Sequence, residues 1–278
     1  MTRPLALSRR PSSGSAHVFG RTLGFNRNGI IRRVKLVVVV PTFNEAENIP
    51  KLVAALFALK VPNLEMLVVD DRSPDGTGEI VEQLIPLYPG RLRVLRRTGQ
   101  RGLGLAYVDG FRMALACGAD AIVQMDADFS HAPADVAHFL TLLKEYEVIV
   151  GSRYVVGGQL DKEWEMGRVL LSAWANFYAR SILRMKTHDV TAGFKCWRRS
   201  ALEAIQLDRV RSNGYVFQVE MAYLCERLGL RVLEVPIYFE DRRIGQSKMS
   251  IPVKIEAAWR VWQVWLRHRR VRRLSRDR

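Results

Sequence analysis

No apolar run in this 278-residue sequence reaches the roughly 18 residues that a membrane span needs, so the chain is not expected to cross a bilayer by itself. Cysteine is scarce too. Cys117, Cys196 and Cys225 form no CxxC pair and leave an odd thiol under any pairing, which argues against a disulfide framework and a cysteine zinc site and fits a reduced compartment. Acidic residues are nearly absent from both ends. The first 35 residues carry eight Lys or Arg and no Asp or Glu, and Arg267 to Arg278 carry seven Arg against Asp277 alone. Of the net charge of +15, only about +1 is left for everything between. Basic tails on a near-neutral body suit an anionic surface, either phospholipid headgroups or nucleic acid. The N-terminal stretch also lacks a continuous apolar h-region, which argues against a secretory signal and for a disordered basic arm; its Arg-rich, acid-free composition fits a transit peptide as well. Nucleotide fingerprints are missing in their usual forms. Gly102-Leu103-Gly104 would need a glycine where Tyr107 stands to complete GxGxxG, and there is no GxxxxGK[ST], so neither a dinucleotide fold nor a P-loop is supported.

What the chain does have is 48% apolar residues, enough for a substantial core. From Lys35, β-rich runs alternate with helical periodicity. "LVVVVP" is too continuously apolar to alternate, as expected of a parallel strand buried on both faces, and Ile49, Leu52, Val53, Leu56 and Phe57 then stripe one face of a helix. "EMLVVDD", "RLRVL", "ADAIVQMDAD" and "EVIVGSRY" continue the strands, with helices between them. Later come helices over Met166 to Leu183 and around Val216 to Leu228, a turn region "THDVTAGFKCW", and a strand "RVLEVP". This alternation predicts an α/β, doubly wound, mostly parallel sheet with functional loops at the carboxyl ends of its strands.

Polar groups cluster at several of those ends: Pro41 to Glu45, Asp70 and Asp71, Asp126-Ala127-Asp128, and Arg153. Two carboxylates two residues apart just past a strand repel unless a cation lies between them, and Mg²⁺ or Mn²⁺ favours such oxygen ligands together with substrate phosphates. Ser130 is placed to add a hydroxyl. Alone, the DxD is balanced by a plainer reading in which Asp128 or Ser130 caps a helix starting near Pro133. The joint placement of Glu45, Asp71 and the DxD on neighbouring strand ends favours a single site.

"VVVVPTFNEAENI", "LVVDDRSPDGTGEI", "RGLGLAY", "QMDADFSH", "VGSRY", "DVTAGFKCW" and "RRIGQSK" occur in the order and at roughly the separations found in polyprenol (dolichol) phosphate mannosyltransferases, a type of family 2 glycosyltransferase. The chain resembles that family over about Val37 to Lys248. The resemblance implies a GT-A fold and inverting transfer of mannose from GDP-mannose to a polyprenyl monophosphate, with Mg²⁺ or Mn²⁺ as cofactor. It also implies roles. Pro41, Phe43 and Glu45, with Val69 and Asp71, match nucleotide contacts; Phe43 stands where Tyr is more usual, losing a hydroxyl but keeping a ring. Asp126 and Asp128 match the metal-binding pair, Ala127 lies along the nucleotide, and Ser130 takes the third metal-linked position, where some relatives carry Gln. Arg153, Arg168 and Ser172 match positions facing the acceptor phosphate. Arg242 and Lys248 match a loop whose cations close on the diphosphate, and Lys195 is a weaker candidate. A UDP-glucose-dependent enzyme with the same acceptor is the nearest alternative. A basic nucleic-acid-binding protein is the alternative of a different class, though acidic strand ends on a near-neutral body fit it poorly.

Three segments are therefore expected: a basic arm over 1–34, the catalytic domain over 35–250, and an amphipathic helix with basic tail over 251–278. Ile251, Ile255, Ala258, Trp259, Trp262, Trp265 and Leu266 fall near one helical face ahead of the arginines, a pattern that suits either the headgroup region of an anionic membrane or packing on protein. The expected location is cytoplasmic and peripheral at the membrane surface. Some relatives rely on a small transmembrane partner subunit, and no nucleic acid is expected as a partner.

Overall fold

The computed structural model describes residues 34–161, 166–240 and 251–275. The expected N-terminal arm, apart from Val34, lies outside them, as do Arg242 and Lys248 and the side chain of Arg168.

The apolar run Leu36–Thr42 forms β1, and α1 (Ile49–Ala58) crosses back from it, burying Ile49, Leu52, Val53 and Leu56. The alternation continues through β2 (Leu64–Asp70), α2 (Thr77–Leu84), β3 (Leu92–Arg96), α3 (Leu103–Ala116), β4 (Ala121–Gln124), α4 (Asp135–Leu142) and β5 (Val148–Ser152). The short β6 (Gln159–Leu160), the long α5 (Met166–Leu183), β7 (Lys195–Arg198), α6 (Arg199–Ile205), α7 (Val216–Leu228), β8 (Val232–Pro236), β9 (Tyr238–Phe239) and α8 (Ile251–His268) complete it. Seven strands form one sheet in the order β3-β2-β1-β4-β7-β5-β8, and β6 pairs with β9 apart from it.

The sheet is mostly parallel, with one departure from expectation. "THDVTAGFKCW" reads as a turn region, yet its end is β7, which runs antiparallel between β4 and β5 in the middle of the sheet. Four residues are too few to show a period, and this strand includes a fully buried lysine. Because β7 is antiparallel to both neighbours, β4 and β5 remain parallel to each other, and the ends of β1 to β5 open on the same edge.

Apolar side chains fill both faces of the sheet. On one face α3 lies unusually close: a Cβ at Gly110 would sit 2.5 Å from Val39 Cγ1 and 2.9 Å from Val69 Cγ2, so only glycine permits the approach. A third cluster joins α5, α7 and α8 through Leu183, Val219, Tyr223, Val261 and Val264. One carboxylate fixes α8 in place. Glu220 is fully buried and accepts from the Arg211 and Ser212 amides at 3.0 and 2.7 Å, while Arg267 and His268 of α8 meet its other oxygen, each at 2.7 Å.

Burial works to raise the Glu220 pKa, but hydrogen bonds from His268, Ser212 and Arg267 outweigh it and hold the carboxyl at about 2, against 4.5 for an ordinary glutamate. With the folded value below the unfolded one, this contribution is present above pH 4.5 and is lost as the pH falls toward 2. Glu220→Gln is expected to remove on the order of 3 kcal/mol of stability at neutral pH. Calorimetric unfolding across pH should show a lowered Tm and a shallower acid limb; a parent-like acid limb would be the contrary result.

Candidate active site

Three strand ends build one corner. Phe43 and Glu45 follow β1, Asp71 follows β2 and Arg97 follows β3. Asp71 is buried; one oxygen meets Arg97 Nη1 and the other accepts the Gly102 amide at 2.7 Å. Arg97 in turn donates to Asp109 at 2.8 Å and to the Gln100 carbonyl at 3.0 Å, so the loop before α3 is tied to the end of β2. That loop carries Arg101, whose guanidinium lies 4.5 Å over the Phe43 ring, and together they form a flat, cationic wall. Glu45 accepts from Asn48 Nδ2 at 2.8 Å. Pro41 is half-buried at the end of β1, whereas the side chain of Val69 is fully buried beneath α3 and leaves only backbone to offer a ligand.

Gly102 has φ 154°, and a Cβ on it would fall 1.9 Å from Asn213 Nδ2. Asn213 itself accepts from the Gly104 amide at 3.2 Å and donates to the Arg101 carbonyl at 3.3 Å. Gly102→Ala is expected to cost about 1–3 kcal/mol through strain and collision. The Arg101–Phe43 wall should move with the loop; a parent-like Tm in thermal unfolding would count against the strain.

β4 stops at Gln124, and the DxD lies in the loop beyond it. Tyr107, on α3, donates its hydroxyl to Asp126 Oδ1 at 2.8 Å. Burial, reinforced by the Asp126 charge, pushes the Tyr107 pKa well up, so the phenol stays protonated. His131 is buried and stacked on Phe194, with its Nδ1 accepting the Asp126 amide at 3.1 Å. Burial lowers its pKa against the pull of Asp126 and Asp128, so it acts as a neutral acceptor that holds the loop. Asp128 Oδ1 accepts both the amide and the hydroxyl of Ser130, at 3.1 and 2.6 Å, across Phe129 at φ 63°. Ser130 therefore aims Asp128, with its hydroxyl hydrogen already committed; Ala127 is buried between the two acids.

A hard divalent cation fits this donor set. Among the described residues Asp126 Oδ2 accepts no hydrogen bond, and it faces Gly193, where a Cβ would lie only 3.4 Å away. No group of three or more His, Cys, Asp or Glu suited to a metal occurs among the described residues, so two carboxylates would leave most ligand positions to substrate oxygens.

Beyond β5, Arg153 is nearly buried and its fork is largely engaged. Nε and Nη2 donate to the two oxygens of Asp189, each at 2.8 Å, and Nη2 also donates to Thr191 at 2.8 Å. Asn176 of α5 fixes this corner by donating to Thr191 at 3.0 Å and accepting from the Val190 amide at 3.0 Å. Burial works to raise the Asp189 pKa, but the Arg153 charge and hydrogen bonds outweigh it and hold the carboxyl below the ordinary 3.8. Next along the chain, Tyr154 donates to Ser172 Oγ at 2.8 Å, bringing that α5 residue beside Arg153. Lys195 is fully buried, meeting Gln218 Oε1 at 2.7 Å and the Ala192 carbonyl, with burial lowering its pKa to about 8.

The structure thus gathers Phe43, Glu45, Asp71, Asp126, Asp128 and Arg153 on one sheet edge. Tyr107, Arg97, Arg101, Asp189 and Asn213 shape the site as well, and sequence reading did not pick them as site residues. Three of them fall within motifs that carry the resemblance, Arg101 and Tyr107 in "RGLGLAY" and Asp189 in "DVTAGFKCW", but a motif match alone does not say which of its side chains faces the site.

Residues 37–206 match the family described as glycosyl transferase family 2. The chain is 41% identical over 236 residues to the polyprenol monophosphomannose synthase of Mycolicibacterium smegmatis, covering 84% of this chain and 88% of that one. It is also 41% identical over 217 residues to the undecaprenyl-phosphate mannosyltransferase of Micrococcus luteus, covering 78% and 88%. Among solved structures, glucosyl-3-phosphoglycerate synthase of Mycobacterium tuberculosis, in complex with Mn²⁺, uridine diphosphate and glucosyl-3-phosphoglycerate, superposes with a TM-score of 0.59. At 18% identity over 84% of this chain and 80% of that one, the likeness is one of fold.

Proposed function

The chain belongs to glycosyl transferase family 2, among its polyprenol-phosphate mannosyltransferases, and we propose that it transfers mannose from GDP-mannose to a polyprenyl monophosphate with inversion at the anomeric carbon. The observation that carries the reading is the meeting, on one sheet edge, of a DxD whose Asp126 Oδ2 accepts no hydrogen bond among the described residues and a nearly buried, pre-aimed arginine.

The proposed reaction forms a bond from an acceptor phosphate oxygen to the sugar C1 and breaks the bond from C1 to the β-phosphate of the donor. A divalent cation held by Asp126 and Asp128 would supply positive charge for the departing diphosphate. Tyr107 and the neutral His131 hold Asp126, and Ser130 holds Asp128, so both carboxylates are set before substrate arrives. Arg101 and Phe43 offer a face for the base, and Asp71 holds the loop that carries Arg101. A phosphate monoester has a second pKa near 6, so at pH 7 the acceptor arrives largely as the dianion and no side chain need take its proton. Arg153 Nη1, which donates no hydrogen bond among the described residues, is the arm left for that acceptor, with Ser172 beside it. Arg168, Arg242 and Lys248 complete the proposed set of cations.

The acceptor lies in a membrane, and the protein carries a surface that suits one. No helix among the described residues is long and apolar enough to cross a bilayer. Along α5, however, Met166, Leu170, Trp174 and Phe177 are exposed at four- and three-residue intervals, and Trp259, Trp262 and Leu266 are exposed on α8. Trp262 Nε1 donates to Tyr178 of α5 at 3.2 Å, joining the two stripes. Peripheral docking of this face on an anionic membrane is part of the proposal.

Incubating the purified chain with detergent-dispersed polyprenyl phosphate and either GDP-mannose or UDP-glucose, with Mg²⁺, Mn²⁺ or chelator, tests the chemistry. Mannosyl transfer that chelator stops is expected; product from UDP-glucose alone would overturn the donor assignment.

A further inference from the structure

A cavity of about 990 Å³ lies away from the sheet edge, between the end of α5, α7, α8 and the segment that follows α8. We infer that it takes the phosphate headgroup of an anionic phospholipid. The inference rests on the docking reading above and adds a specific site to it.

The cavity wall is strongly cationic: Arg184, Lys186, Arg227, Arg269, Arg272 and Arg273 line it against a single acid, Glu226. That carboxylate is already engaged, accepting the Lys186 and Thr187 amides at 2.9 and 2.8 Å and the Thr187 hydroxyl at 2.7 Å. Two of the cations are fixed in place. Arg227 donates through Nη2 to the carbonyls of Arg269 and Val271, at 2.6 and 2.9 Å, and its Nε is buried with no acceptor. The Arg269 guanidinium lies 5.1 Å over the Trp265 ring. Arg184 holds φ 52° just past α5, a conformation that glycine or asparagine would adopt more cheaply. By contrast, the side chains of Arg184, Lys186 and Arg272 make no hydrogen bond or ion pair among the described residues, leaving them for an anion.

The choice of a lipid follows from what adjoins the cations. Trp262 lines the cavity and also belongs to the exposed apolar stripe of α5 and α8, so a headgroup phosphate in the cavity would place its acyl chains along Phe177, Trp262 and Leu266. Arginine matches phosphate oxygens with a planar fork, and tryptophan favours the depth of the headgroups. A free inorganic anion would make no use of the stripe.

The test is vesicle flotation of the full chain at physiological salt, with phosphatidylcholine alone or mixed with phosphatidylglycerol. The parent is expected to prefer the anionic vesicles by about tenfold or more. R184Q/K186Q/R272Q should lose that margin and keep its binding to neutral vesicles, while K51Q/K60Q/R209Q, which removes as much charge elsewhere, should keep the margin within about twofold. Short-chain phosphatidylglycerol below its micelle concentration should shift tryptophan emission saturably in the parent and not in the cavity variant; an equal response to inorganic phosphate would assign the cavity to a free anion instead. A cavity variant that retains the anionic preference overturns the inference. So does one that keeps the preference for anionic vesicles but loses binding to an oligonucleotide. Failure to bind any vesicle sinks the docking reading itself, whereas equal binding to neutral and anionic vesicles sinks only the headgroup site. Mannosyl transfer to detergent-dispersed acceptor is expected to be unchanged in the cavity variant, which keeps the chemistry separate from both.

Discussion

Asp126→Asn is expected to lower kcat/KM for mannosyl transfer by about a thousandfold while shifting Tm by only a few degrees. The two effects separate because of how Asp126 is held. An asparagine can still accept the Tyr107 hydroxyl through its amide oxygen, and the backbone amide of residue 126 still donates to His131. What changes is the second oxygen, which in the parent has no hydrogen-bond donor among the described residues and faces Gly193; an NH₂ group there carries no charge and cannot ligate a cation. Asp128→Ala differs in kind, since Asp128 is buried and accepts two hydrogen bonds from Ser130 that alanine cannot accept, so it should lose stability along with activity. Measuring turnover at saturating Mg²⁺ and Mn²⁺ beside thermal unfolding checks both. Activity of Asp126→Asn within tenfold of the parent would remove this oxygen from the chemistry.

How legible the fold was depended on how local its signals are. β1 and α1 follow from an unbroken apolar run and a helical stripe, and α5 and α7 end where the sequence pattern places their ends. β7 was hidden because its place in the sheet depends on β4 and β5, more than 40 residues upstream, and a buried lysine argued against a strand. The candidate site shows the same division. Asp126 and Asp128 announce themselves by spacing, as Glu45 and Asp71 do by following apolar runs. The residues that hold them do not. Tyr107 reaches Asp126 across 19 positions, Asn213 reaches the loop at Gly104 across 109, and neither contact leaves a periodic trace. Val69 is the opposite case: family resemblance places it at the nucleotide, while packing puts its side chain under α3. Ser130 matches a metal-linked position, and its hydroxyl donates to Asp128 while its oxygen keeps lone pairs for a ligand.

Asp189→Asn is expected to destabilise the protein by about 3–5 kcal/mol, equivalent to a Tm drop on the order of 10 °C, and to raise KM for the polyprenyl phosphate with KM for the donor unchanged. Arg153 and Asp189 are a nearly water-free pair, and removing the carboxylate charge leaves the guanidinium buried without compensation. The pH dependence follows from the direction of the shift. Arg153 holds Asp189 below its ordinary 3.8, so the contribution of the pair is complete above that value and disappears as the pH falls through the folded pKa; the variant should lack this part of the acid limb. The catalytic consequence comes from geometry. With Nε and Nη2 fixed on Asp189, Nη1 is aimed by the protein, and the proposed acceptor phosphate meets an arm already in place. An asparagine accepts through one oxygen only, so the fork can swing, and the resulting loss should fall on the acceptor and spare the corner built by Asp71, Arg97 and Arg101, where the nucleotide is proposed to bind. Arg153→Lys, which keeps the charge and loses the fork, should show the same acceptor-specific rise in KM with a smaller fall in Tm. If both variants instead raise KM for the donor, Arg153 faces the diphosphate, and the assignment of the two ends of the site has to be reversed.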